Sequence, residues 1–399
     1  MPRPFRIAVL SDTHAVDSVE MADAPPRINY GTADAPHPLL VQCRDAVQER
    51  YGDEIDLLLA AGDLTDLAGT VPLAKIWADL HWLSGELGCP LVATSGNHDY
   101  DSRGIEDVLP NLGLMQLEPS FPFGDSTVRD KYFAQHHALY ASTDVVVVTA
   151  NSSAHHGYSA AAGPEHDHGR FSKILPTFLR DSLDELGTLP QIKVMLTHHH
   201  LNQLPGIDSD ERAAVVGAEN VLATLSFYGD WIVVHGHKHR AWVQYASGGG
   251  DAPVLISAAS LSADLGDDDF SKEVRHQFHV IEVERDVGDP VGTSTPRGRV
   301  LSWTFSPLGW HVASDDDVLP GVTGYGWRGS VHELAHRVRT VVTSQKFLRG
   351  DEVAAELPEL SYLVFDDLRR LREILNQGSP RVRTLTTDEG EVAELVLEA

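Results

Sequence analysis

The chain has 399 residues, enough for one large domain with additions or for two domains. Its 31 Lys and Arg stand against 58 Asp and Glu, a formal net charge of −27, which excludes a broad nucleic-acid or anionic-membrane surface by long-range repulsion. Only Cys43 and Cys89 are present, both in apolar periodic stretches, which excludes a disulfide framework and a cysteine-rich zinc site.

In chain order, "FRIAVLSD" (5–12) reads as a short strand ending in polar residues. Residues 38–51 read as a helix with Leu39, Leu40, Cys43, Val47 and Tyr51 on one side. "EIDLLLAAGD" (54–63) is a second buried strand, and "PLAKIWADLHWLSGEL" (72–87) an amphipathic helix with Pro near its start. Strands follow at 89–99 and 144–153, then a helix at 171–186, a strand at 191–197, a helix at 217–228 and a strand at 231–235. Alternating strands and helices predict an α/β domain with mixed β-sheets covered by helices. Beyond 250, "APVLISAAS" (252–260), "HQFHVIEVER" (276–285) and "RVLSWTFSP" (299–307) have no helix between them and predict an antiparallel end to the sheet. Residues 308–320 read as a linker, and 321–399 as a mainly helical extension, with a helix expected over 357–375. The opening "MPRPFRIAVLSDTH" lacks the apolar core of a signal peptide, and "VVVVTA" (145–150) is far too short to span a membrane, so a cytoplasmic location is expected.

Polar residues of one kind cluster where the strands end. "SDTH" supplies Asp12 and His14, "GDLTD" supplies Asp63 and Asp66, and "GNHD" supplies Asn97, His98 and Asp99. "HHH" supplies His198, His199 and His200, and "GHKH" supplies His237 and His239. Ligands of open α/β sheets bind beyond the carboxyl ends of the strands, so these groups are delivered to one edge. Carboxylate, amide and imidazole without thiolate suit Mn, Fe or Zn, and the set is large enough for two ions bridged by a carboxylate about 3.5–4 Å apart. A phosphate ester is the substrate that best uses such a pair. Taken singly, Asp12 or Asp63 is equally a helix cap and Gly96-Asn97 a turn.

The ordered string Asp-x-His, Gly-Asp-x-x-Asp, Gly-Asn-His-Asp, a later His and Gly-His-x-His resembles the calcineurin-like metallophosphoesterases, over about residues 5–307. In pattern it is most similar to the bacterial members resembling cyclic-nucleotide phosphodiesterases. The resemblance implies a β-sandwich of mixed sheets flanked by helices over residues 1–307. It also implies two metals, held by Asp12, His14 and His239 on one side and by Asn97, His198 and His237 on the other, with Asp63 bridging. His98 would protonate the leaving oxygen, Asp66 would orient His98, and a metal-bridging hydroxide would attack a phosphodiester in line. A nuclease or phosphomonoesterase with the same site remains open. Phosphoprotein phosphatases of this family continue the second motif with Arg-Gly, where this chain has Leu67-Ala68. His198, the first histidine after its strand, takes the ligand place; alternation turns His199 away and returns His200 to the same face, where it could reach substrate or lie in solvent.

Other features compete. His155, His156, His166 and His168 fall in a Gly/Ala-rich insertion (151–171) without ligand spacing. His332, Glu333 and His336 spell the zincin His-Glu-x-x-His, but Arg337 follows directly and no third ligand is evident. Tyr325, Trp327, Leu334, Val338, Val341, Val342 and Phe347 could pack the extension onto the enzyme, cap the active site, or bury against a protein partner or a second copy.

Overall fold

The computed structural model describes residues 3–18, 26–101, 109–157, 168–204, 214–248, 252–265, 274–285, 293–314 and 319–398. The chain divides into two compact units. One comprises residues 6–279 with 304–311; the other comprises 1–5, 280–303 and 312–399.

The larger unit begins with β1 (Phe5–Leu10), α1 (Pro38–Tyr51), β2 (Leu57–Ala60), α2 (Thr70–Leu87) and β3 (Leu91–Ala93). After α3 (Leu112–Met115) and α4 (Ser126–Gln135) come β4 (His137–Ala141), β5 (Val145–Ala150), α5 (Leu175–Leu186), β6 (Ile192–Leu196) and α6 (Ala218–Phe227). Then follow β7 (Ile232–His235), β8 (Trp242–Tyr245) and β9 (Val254–Ser257); next in the chain come β10 (Gln277–Val283), β11 (Thr293–Ser306) and β12 (Gly309–Val312), of which residues 280–303 belong to the smaller unit. Strands β1, β2 and β3 pair in parallel, with Val9 opposite Leu59 and Leu59 opposite Val92. A second sheet has the order β4-β5-β6-β7-β9-β8, parallel except at its two edge strands. Parallel strands covered on both faces read as unbroken apolar runs, which is why "VVVV" and "KVML" are nearly all buried.

The two sheets meet face to face. Thr149 Oγ1 donates to Ala93 O at 2.7 Å, and Thr94 Oγ1 to Ala150 O at 3.2 Å. On the outer face of the second sheet, Leu175, Leu179 and Leu183 of α5 and Val221 and Leu225 of α6 pack on Val146, Val148, Met195 and Val233. These are one helical stripe each, the pattern that fixes an amphipathic crossover helix. The expected sandwich flanked by helices is thus present. One expectation is corrected: β9 pairs parallel with β7 and not antiparallel, because the chain turns back through β8, which takes the antiparallel edge beside it.

In the smaller unit β13 (Val322–Trp327) pairs antiparallel with β11, Val300 opposite Thr323. That pairing ties residues 280–303 to the C-terminal residues, whereas the sequence drew a boundary at 307, and β12 lies within the expected linker. Helix α7 (Val331–Gln345), β14 (Phe347–Arg349), α8 (Gly350–Glu356), α9 (Phe365–Gln377), β15 (Arg381–Thr386) and β16 (Val392–Glu398) complete the chain. The three short strands form a sheet in the order β14-β16-β15 that the sequence pattern did not reveal. The helix expected over 357–375 is instead a 3-10 turn (Pro358–Tyr362) followed by α9, with Asp366 and Asp367 in its first turn. Trp327, Leu334, Val338 and Val342 bury against Leu348, Leu371, Leu375 and Leu395, so this unit has its own core.

Candidate metal centre

Parallel β1, β2 and β3, and parallel β6 and β7, deliver their carboxyl ends to turns that hold the polar residues. The turns are strained. Asp12 (φ 50°), His14 (φ 41°), Asp63 (φ 49°), His237 (φ 80°) and His239 (φ 55°) all occupy the left-handed region. Such a conformation costs a non-glycine residue about 1–3 kcal/mol and persists only where the surroundings over-determine it. Backbone bonds do so here: Asp12 N–H donates to Gly62 O at 3.0 Å and His14 N–H to Asp63 O at 3.0 Å. Gly96 and Gly236 complete the packing. A Cβ on Gly96 would overlap Asp63, and one on Gly236 would overlap Ser11 and Asp12.

The side chains converge into three groups of potential ligands whose atoms lie within 4.8 Å of one another: Asp12, His14 and His239; His14, Asp63 and His98; Asp63, His198 and His237. Asp63 Oδ2 stands between the outer groups, 3.1 Å from His198 Nε2 and 3.5 Å from His14 Nε2. Asp12 Oδ1 lies 3.3 Å from His239 Nε2. Asn97 Oδ1 lies 3.2 Å from His198 Nε2 and 3.1 Å from His237 Nδ1. All seven residues expected as ligands are therefore brought together.

These residues fit metal ions. Asp12 and Asp63 are buried carboxylates, and buried charge needs a cation close by. His14 Nε2 is buried without a hydrogen-bond partner, and His237 turns Nδ1 toward Asn97 Oδ1. The opposite ring nitrogens are held: His198 Nδ1–H donates to Ala61 O at 2.8 Å, and His14 Nδ1 faces Asp66 Oδ1 at 3.4 Å. That arrangement fixes the tautomer and presents Nε2 as the ligand atom. Burial alone would raise the Asp12 and Asp63 carboxyls. The surrounding imidazoles, with His14 and His239 at Asp12 and His198 and His98 at Asp63, hold both well below the usual range. Conversely, burial opposes a proton on His14 and His198, but the carboxylates raise them to about 10 and about 9.

His98 differs from the ligands in being about a third exposed. Its Nδ1–H donates to the Asp66 main-chain carbonyl at 2.5 Å, while the Asp66 carboxylate is 3.5 Å away. The orientation expected from the Asp66 side chain thus comes first from its backbone. Burial disfavours the His98 cation, yet the charge of Asp63 and the bond to Asp66 raise its pKa overall.

The three consecutive histidines separate. His199 Nδ1 pairs with Ser152 Oγ at 2.8 Å and its ring lies 4.4 Å from that of His237. His200 is 2% exposed and its ring stacks 6.0 Å from His237, so it is neither a loop residue in solvent nor on the open rim. Its burial lowers its pKa to about 3. Asp99, which the sequence placed in the cluster without a role, accepts from Gly96 N–H (2.8 Å) and Thr65 N–H (3.0 Å), joining the second and third motifs. Its place directly after Asn97-His98 was the available signal. Burial and the nearby Asp63 raise it to about 6. Of the insertion histidines, His166 lies outside the described residues. His332, Glu333 and His336 are exposed on α7, and among the described residues no third ligand joins them.

A family model described as calcineurin-like phosphoesterase matches residues 5–252. The chain belongs to that family. Calcineurin-like phosphoesterases are metal-dependent hydrolases of phosphoric esters, and the ligand clusters above lie within the matched residues. No curated protein sequence matches the chain. Solved structures similar to this phosphoesterase include the GAP50 anchor of the Plasmodium inner membrane complex, at 12% identity and TM-score 0.43, covering 82% of this chain and 90% of that one. A purple acid phosphatase from yellow lupin is similar at 12% identity and TM-score 0.44, covering 78% and 53%. A putative 5'-nucleotidase from Staphylococcus aureus is similar at 14% identity and TM-score 0.39, covering 71% and 51%. This chain thus spans about half the length of the last two. Among the described residues no helix is long and apolar enough to cross a membrane.

Proposed function

We propose that this phosphoesterase is a dinuclear enzyme that hydrolyses a small phosphodiester, a cyclic nucleotide being one candidate. The observation that carries the reading is the sharing of Asp63 between two ligand groups beside the half-open His98. Asp12, His14 and His239 would hold one divalent or trivalent ion (Mn, Fe or Zn), and Asn97, His198 and His237 the other. When bound, such a pair supplies Lewis-acid polarisation of the phosphoryl oxygens and activation of water. The protein's own residues do the rest. The left-handed turns aim the ligands, and the buried surroundings strengthen their fields. His98, with Nδ1–H committed to Asp66 O, keeps Nε2–H for the leaving oxygen. Leu67 is exposed where phosphoprotein phosphatases of the family carry Arg, which counts against a phosphoprotein substrate.

The test loads the protein with Mn²⁺ and compares an aryl phosphodiester, an aryl phosphomonoester, cyclic nucleotides and single-stranded DNA. Hydrolysis of the diester and a cyclic nucleotide, lost in Asp63→Ala, is expected. Preference for the monoester, or for DNA, would replace the diester reading with a phosphatase or a nuclease. An active Asp63→Ala protein would remove the dinuclear reading altogether.

A further inference from the structure

Arg27 lies outside every motif, yet it reaches the centre. Its Nη2 is 3.7 Å from Asp66 Oδ2 and its Nη1 is 3.8 Å from Asp264 Oδ2. The guanidinium side chain is only 11% exposed. Its place is fixed by the backbone around it: Val16 N–H donates to Ile28 O at 3.0 Å, Tyr30 N–H to Val16 O at 2.8 Å, and Ile28 is fully buried. Arg27 is thereby pinned against the segment that follows His14.

The Asp66 carboxylate is divided. Oδ1 faces His14 Nδ1 at 3.4 Å and His98 Nδ1 at 3.5 Å, while Oδ2 faces Arg27. A carboxylate that is 30% exposed can rotate into water unless its second oxygen is held. A guanidinium is the side chain suited to hold it, being always charged and rigidly planar.

We infer that Arg27 is a positioning residue of the centre, clamping Asp66 Oδ2 so that Oδ1 serves the ligand His14 and the acid His98 together. It acts through Asp66 and touches neither metal nor substrate. The inference rests on the phosphoesterase reading. Partners that orient ligands in this way typically change activity or metal affinity about 10- to 100-fold when removed.

A double-mutant cycle tests it. Arg27→Met should lower kcat about 10-fold, more for esters with poor leaving groups, with KM within about 2-fold. In an Asp66→Asn background the same change should cost less than about 2-fold, because the group it acts on is gone. Arg27→Lys should restore part of the loss, and Asp264→Asn, at an exposed partner, should change little. Losses that multiply in the double variant, or a loss confined to KM, would overturn the inference in favour of a structural or substrate-contacting Arg27. Circular dichroism of each variant separates misfolding from the effect, and Arg27→Lys carries the cycle where the Met variant does not fold. A parent protein inert toward every ester would sink the phosphoesterase reading instead. The cycle is then read on Mn²⁺ affinity by calorimetry, where coupling through His14 is still expected and additivity again overturns the clamp.

Discussion

At His98 the backbone and the side chain of Asp66 make unequal contributions. The main-chain carbonyl takes the Nδ1 proton at 2.5 Å, whereas the carboxylate stands off at 3.5 Å. Asp66→Asn leaves that carbonyl in place. His98→Ala is therefore expected to lower kcat about 10²- to 10⁴-fold, the range for losing a general acid. Asp66→Asn is expected to cost about 10- to 100-fold, the range for an orienting partner. Steady-state kinetics on one diester with Mn²⁺ checks the order. Equal losses would mean that the carboxylate alone orients the ring. The sequence pattern picked out His98 and Asp66 but could not apportion their bond, because a motif records residue types and not which oxygen of Asp66 is nearer.

At the scale of the elements, the site is a product of strand ends and the turns that leave them. Gly96 lets the turn after β3 pass against the Asp63 backbone and carboxylate, where a Cβ has no room. Gly96→Ala is expected to push Asp63 aside. The folded protein should survive, with its sheet signal retained, but bind Mn²⁺ at least about 10-fold more weakly. Calorimetric titration measures this, and a variant with the parent's affinity would show that the turn has slack. The same scale explains what was and was not legible in the chain. Helix α1 falls where its apolar stripe places it, and β5, β6 and β7 where their apolar runs do. The parallel register of β9 was not legible, because pairing direction depends on where β8 turns the chain and not on the composition of β9. The short strands β14, β15 and β16 gave no clear alternation, being partly buried by neighbours remote in sequence.

At the scale of the molecule, several histidines are buried away from the centre, and they make stability depend on pH. Burial lowers His137 to about 4 and His279 to about 3; His137 Nε2 pairs with Ser182 Oγ at 3.0 Å, and His279 Nε2 accepts from Ala259 N–H at 3.2 Å. In the unfolded chain both titrate near 6.5, so between about pH 6.5 and pH 4 the unfolded state binds more protons than the folded one. Their contribution is complete above the unfolded pKa and is lost as pH falls, at about 1.4 kcal/mol per pH unit for each group. Urea unfolding from pH 7 to 4.5 should show stability decreasing throughout, with a shallower slope in His137→Asn. Stability that is flat or rises on acidification would contradict the burial of these rings.

The sequence by itself determined the types of residue at the centre and the order in which strands deliver them. Asp12, His14, Asp63, Asn97, His198, His237 and His239 are recognisable because carboxylate, amide and imidazole recur at the ends of apolar runs, a pattern visible one segment at a time. Tertiary structure alone decided the rest. It stood Asp63 between two ligand groups, buried His200 behind its neighbours, set Arg27 against Asp66, and joined β11 to β13. Each of these depends on distances between residues far apart in the chain, and periodicity, spacing and composition carry no information about such distances until the sheets have packed.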